Sequence, residues 1–165
     1  LVSQLSALVG GRPEELPGRV ESLMSRLKEA EKKLAAAQQA ALASRAVGLA
    51  ASAARRGDYL LVTADVGAVG SADALRSLAL DVRGRLSDSE AAVVAVAGTA
   101  GGRPLVVVAT NAAARSAGAK AGALVRAAAA VLGGGGGGKD DVAQGGGQDA
   151  RKIDAALEAL AGRLV

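Results

Sequence analysis

The run AAVVAVAGTAGGRPLVVVAT, residues 91–110, decides the fold. Two continuous apolar stretches, AAVVAVAG and PLVVVAT, are separated only by turn residues around Gly101 and Gly102. Valine-rich runs without polar alternation, joined by so short a turn, are the signature of a hairpin of buried strands. Such a hairpin needs cover, and the flanking sequence supplies it. Upstream, YLLVTADV from Tyr59 reads as a further strand, and Ser71 is placed to cap a helix over about 72–86 carrying Leu75, Leu78, Val82 and Leu86 at helical spacing. Downstream, Asn111 is placed to cap a short turn, and a helix over about 119–132 follows Gly118. Asp149 then caps a last helix through Ile153, Leu157, Leu160 and Leu164. The order strand, helix, strand, strand, helix, loop, helix predicts an α/β (α+β) domain: a small mixed sheet with helices on at least one face.

The composition changes at Gly57 and Asp58, so the sequence predicts a helical arm over 1–57 and a globular domain over 58–165. The arm opens on LVSQLSALVGG, a short amphipathic helix stopped by Gly10 and Gly11, and RPEELPGR starts the next. There Leu16, Val20, Leu23, Leu27, Ala30, Leu34 and Ala37 alternate spacings of four and three, one apolar seam of coiled-coil type. A seam of this kind predicts burial. Its expected partner is the first helix, or residues upstream of this sequence, packed as an antiparallel hairpin; the alternative is a second copy of the chain in a homodimer.

The inventory excludes most chemistry. The chain has no histidine and no cysteine, which removes the usual zinc ligands, the cysteine nucleophile and every His-paired nucleophile. No catalytic group, metal site or cofactor is expected in this chain. Without cysteines there is no disulfide framework. No targeting stretch opens the sequence and no apolar window reaches spanning length, so a cytoplasmic protein without membrane contact is expected. One aromatic residue, Tyr59, leaves a core of Ala, Val and Leu, which implies close packing and support from a larger protein.

Of the 20 basic and 16 acidic side chains, residues 1–57 hold nine and five, and the remainder is balanced at eleven each. Between Glu90 and Asp140, however, no acid occurs, while Arg103, Arg115, Lys120, Arg126 and Lys139 do. A locally positive surface there suits phosphate, and also reads as ordinary solvated charge. Six glycines at 133–138 and three at 145–147 bracket Ala143 and Gln144. They admit two readings: backbone N–H groups open to a phosphate, or glycine demanded by tight packing.

The stretch GALVRAAAAVLGGGGGGKDDVAQGGGQDARKIDAALEAL resembles the DHHA1 segment that ends bacterial alanyl-tRNA synthetases. The likeness lies in a helix of small residues, a glycine cluster followed by a basic residue (133–139), Ala-Gln-Gly-Gly (143–146) and a last helix. One departure is Asp140, where the family often has proline. DHHA1 domains also accompany DHH-type phosphoesterases, whose glycine motif typically includes a histidine; Lys139 stands here instead, which disfavours that branch. The resemblance implies no active site of this segment's own. It implies a module that docks on the elbow of alanine tRNA and helps link aminoacylation with editing, both carried by upstream catalytic and editing domains. With the charge pattern, it points to Arg115, Lys120, Arg126, Gly135, Gly136, Gly137, Gly138, Lys139, Gln144, Gly145 and Gly146 as the tRNA contacts. A structural role, dimerising the synthetase through the arm, is the alternative.

Overall fold

A computed structural model describes all 165 residues, which form two compact units, Leu1–Gln39 and Ala40–Val165. In the first unit, helix α1 (Val2–Val9) stops at Gly10, whose φ of 67° suits only glycine well. A single 3-10 turn at Pro13–Glu15 leads into α2 (Leu16–Ala51), which continues past the division. Its Ala, Leu, Lys, Glu and Gln content favours helix throughout, and Pro17 falls in the first turn, where a missing N–H costs nothing.

The seam lies on one continuous helix, as its spacing predicts, but it is bare. No residue of the first unit is buried; Leu27 and Leu34 are 61% and 60% exposed, and Val20 and Leu23 are exposed as well. The expected hairpin with the first helix does not form, and Leu5 and Leu8 of α1 are themselves exposed. The physical reason is length: α1 has only 8 residues, too few to cover a seam running over six turns.

In the second unit the last turns of α2 join the sheet. Leu42, Ala46, Leu49 and Ala50 pack into one apolar cluster with Val62, Val66 and Leu75, and Arg45 Nη1 donates to the Val66 carbonyl at 2.8 Å. By contacts, therefore, residues 40–57 group with the sheet.

Six strands follow: β1 (Ala54–Arg56), β2 (Tyr59–Ala68), β3 (Ala92–Ala100), β4 (Arg103–Thr110), β5 (Gly136–Gly138) and β6 (Val142–Gly146). Their order in the sheet is β1-β2-β3-β4-β6-β5. β3 and β4 form the antiparallel hairpin read from 91–110, with Val96 opposite Val107. β2 runs parallel to β3, with Val62 opposite Val94, reached through helix α3 (Ala72–Gly84). All other pairs are antiparallel, so the sheet is mixed. On one face, helices α4 (Ala112–Ser116), α5 (Ala121–Val131) and α6 (Ile153–Ala161) cover Val93, Val106 and Val108. On the other, α3 and the end of α2 cover Val94, Val96 and Val107. Each fully buried Leu or Val contributes roughly 1.5–3 kcal/mol. Alanines at the contacts let helix and sheet approach closely, which replaces aromatic bulk.

Two of the predicted helix caps are formed: Ser71 Oγ accepts from Ala74 N at 3.1 Å and Asn111 Oδ1 from Ala114 N at 2.9 Å. Asp149 caps a 3-10 turn, Ala150–Lys152, in place of the last helix: its Oδ1 accepts from Arg151 N at 3.1 Å, and α6 begins after that turn at Ile153 without a side-chain cap. Three strands were not read from the sequence. β1 is a three-residue partner of β2 across a Gly57-Asp58 turn, with Gly57 at φ 60°; β5 and β6 occupy the segment expected as a loop.

Candidate nucleic-acid interface

The glycine segment is the outer edge of the sheet. β6 pairs with β4, placing Gln144 opposite Val107 and Gly146 opposite Leu105. β5 pairs with β6, placing Gly136 opposite Gly145 and Gly137 opposite Gln144. Nothing intrinsic to glycine favours a strand. The neighbours impose it: β4 offers an unpaired edge, and α5 forms a roof over the ribbon.

That roof sorts the glycines into two kinds. A Cβ at Gly136 would lie 2.5 Å from Val125 Cγ1, and one at Gly145 3.0 Å from the same atom and 3.1 Å from Ala129 Cβ. Cβ atoms at Gly134 and Gly147 would run into the carbonyls of Gly146 and Leu132, and Gly138 has a φ of 151°. These glycines are required by packing or conformation. Gly135 and Gly137 are not: a Cβ at either meets nothing within 4 Å, and neither has a positive φ. Register puts Gly137 beside Gln144 and Gln144 beside Val107, on the face opposite α5. Helix α3 covers β3 and β4 on that face. Gln144 is exposed there beside bare backbone.

The basic side chains divide differently from the sequence expectation. Lys139 is exposed and has no ion-pair partner; its N–H donates to Val142 O at 3.0 Å and closes the turn between β5 and β6. Arg126 is exposed on α5, one turn beyond Gly122, whose own Cβ position is 3.1 Å from Gly138 O. Lys120 Nζ lies 3.5 Å from Asp140 Oδ2, so its charge is partly offset. Arg115 is half-buried and donates through Nη1 to Thr110 O at 2.6 Å. Arg115 and Arg126 do not continue one helix, because Gly118 at φ 103° separates α4 from α5. Asp140, the departure from proline, serves through its backbone: its carbonyl accepts from Thr110 Oγ1 at 2.6 Å and Ala121 N at 3.0 Å.

A residue absent from the sequence reading joins this group. Arg83 of α3 donates through Nη1 to Thr110 O and to Asp141 O, both at 3.3 Å. Two guanidiniums thus meet at one carbonyl, and neither has an acidic partner. Like charges brought to one carbonyl repel each other. The helical spacing of α3 marks Arg83 only as a position off the apolar stripe, so the sequence carried no signal for it. No group of acidic side chains comes together as a metal site.

Residues 58–165 match the model of the DHHA1 domain family. The chain is 54% identical over 160 residues to the alanine–tRNA ligase of Kineococcus radiotolerans, covering 97% of this chain and 18% of that protein. It is 55% identical over 108 residues to the alanine–tRNA ligase of Kocuria rhizophila, covering 66% of this chain and 12% of that protein. The chain thus spans less than a fifth of the length of these curated relatives. Among solved structures, the C-Ala domain of Aquifex aeolicus alanyl-tRNA synthetase superposes with a TM-score of 0.61 at 31% identity, over 68% of this chain and 97% of that one. A mixed sheet edged by the glycine ribbon, a matched family model and near-complete coverage of a solved relative converge: residues 58–165 are a DHHA1 domain, and the chain belongs to the C-Ala family of alanyl-tRNA synthetase C-terminal domains.

Proposed function

We propose that this chain is a tRNA-binding module of a cytoplasmic alanine–tRNA ligase, holding the elbow of alanine tRNA and helping link aminoacylation with editing by upstream catalytic and editing domains. The observation that carries this reading is the pair Gly135 and Gly137. Neither is needed for packing or for backbone conformation; Gly137 is half-buried beside exposed Gln144, and Gly135 is exposed at the start of the ribbon, where its carbonyl accepts from Gly146 N at 3.1 Å. Bare backbone permits a sugar, phosphate or base to approach more closely than any side chain would, and exposed Lys139, without an ion-pair partner, supplies positive charge at the turn between β5 and β6, whereas Arg126 stands on α5, across the sheet. Stacking on an aromatic side chain contributes little, because the one aromatic, Tyr59, packs against the core and donates its hydroxyl to Ala117 O at 2.7 Å. The reading needs no cofactor and no membrane; no helix is long and apolar enough to cross one.

The test is anisotropy titration of whole alanine tRNA and of an acceptor-stem minihelix lacking the elbow. Gly137→Leu and Lys139→Gln should each weaken whole-tRNA binding, and Lys139→Gln should lower the slope of log K against log salt by about 0.9. The minihelix should not respond. Equal binding of whole tRNA by all three proteins sinks the reading.

A second role is favoured by the bare seam of α2: homodimerisation of the arm. Val20, Leu27 and Leu34 are preceded by Arg19, Arg26 and Lys33, while Leu23, Ala30 and Ala37 are followed by Met24, Glu31 and Gln38. Antiparallel pairing of two copies would set the basic flank against itself, whereas parallel pairing brings Arg26 to the partner's Glu31 position. The arm therefore suits a parallel pair. Sedimentation equilibrium should give a dimer for the chain and a monomer for Leu27→Asp; a monomer for both discards this role.

A further inference from the structure

We infer that Arg83 and Arg115 form a seat for one phosphate of an RNA backbone at the end of β4, separate from the glycine ribbon. Arg83 reaches Thr110 O from α3, on one face of the sheet, and Arg115 reaches it from α4, whose Ala114 packs into the core of the other face. Each uses only Nη1 within the chain. Nε and Nη2 of both remain without partners. The nearby acids are turned elsewhere: Asp141 Oδ1 accepts from Val142 N at 3.0 Å, and Asp140 faces Lys120. Two half-buried guanidiniums share the neutral Thr110 carbonyl, and no carboxylate oxygen lies within ion-pair distance of either, so an anion would relieve their mutual repulsion. Planar forks of donors fit a phosphate's oxygens better than a single lysine does. A purely structural use of the pair is the competing account, and a single arginine would satisfy the same carbonyls.

The inference takes RNA as the partner from the proposed function, so the experiment separates the two. The Nε–Hε resonances of Arg83 and Arg115 are followed in the chain as inorganic pyrophosphate is added. Both should shift and saturate together, and Arg83→Gln should abolish the response at Arg115; if neither resonance moves, there is no seat. Alanine tRNA is then titrated. Arg83→Gln and Arg115→Gln should each weaken binding roughly tenfold, Arg83→Lys less, and the double variant should fall well short of the sum, because both residues hold one phosphate. Additive losses, or wild-type tRNA binding by the double variant while Lys139→Gln weakens it, overturn the assignment and leave the proposed function standing. A pyrophosphate response in a chain that binds no tRNA upholds a phosphate seat but overturns RNA as its occupant, together with the proposed function. Thermal melting of each variant identifies a loss of fold, and Arg83→Lys, which keeps the charge, carries the comparison if Arg83→Gln unfolds.

Discussion

Val125 of α5 and Gly136 of β5 stand so close that a single added methyl would collide: a Cβ at Gly136 falls 2.5 Å from Val125 Cγ1 and 2.6 Å from Gly145 Cα. One of those neighbours is backbone and cannot rotate away. Gly136→Ala should therefore destabilise the domain by about 1–3 kcal/mol in urea unfolding. Pairing it with Val125→Ala should recover only part of the loss, because the contacts with the backbone of Gly145 and with Gln144 O at 2.9 Å remain.

Gly135→Ala and Gly137→Ala should behave in the opposite way. Neither residue has a neighbour to displace or a positive φ to defend, so removing glycine's unfolded-state freedom should leave stability unchanged or raise it by up to about 1 kcal/mol. A loss above ~1 kcal/mol in the same urea assay would show that the exposed face of the ribbon is packed after all.

Asn111 should be the most sensitive polar position. Its Oδ1 accepts from Ala92 N at 3.0 Å and Ala114 N at 2.9 Å, while Nδ2 donates to Ser87 O at 3.3 Å and Glu90 O at 2.7 Å. Asn111→Ala removes a helix cap and strands buried backbone groups, costing about 2–4 kcal/mol by denaturant unfolding. Asn111→Asp keeps the acceptor, loses both donors, and should also destabilise.

Asp149 sets an acid dependence. Its hydrogen bonds from Arg151 hold its carboxyl below the ordinary value of 3.8. A folded-state value below the unfolded one means that the contribution is complete above 3.8 and disappears as pH falls through the lower folded value. Melting temperatures from pH 6 down to pH 2 should show this acid limb in the wild type and a weaker one in Asp149→Asn. Parallel curves would mean that the pair contributes nothing, as many exposed pairs do.

Residues 91–110 announce their hairpin because valine runs bounded by Gly101 and Gly102 carry both strand propensity and turn chemistry locally. The same holds for Ser71, Asn111 and Asp149, whose short polar side chains bond backbone two or three residues away. Such contacts are contained in a few consecutive residues, and so the sequence determined them, as it determined the family through the glycine cluster, Lys139 and Ala143–Gly146. Only the tertiary structure decided the rest. Glycine has no preference for a strand, so the ribbon became β5 and β6 only when β4 supplied hydrogen-bond partners and Val125 and Ala129 a roof. Periodicity along α2 expressed a need for burial without specifying what covers it, and α1 is too short to do so. Arg83 and Arg115 are 32 positions apart, and the pairing of their charges is fixed by where α3 and α4 end relative to Thr110, a long-range geometry that no local pattern encodes.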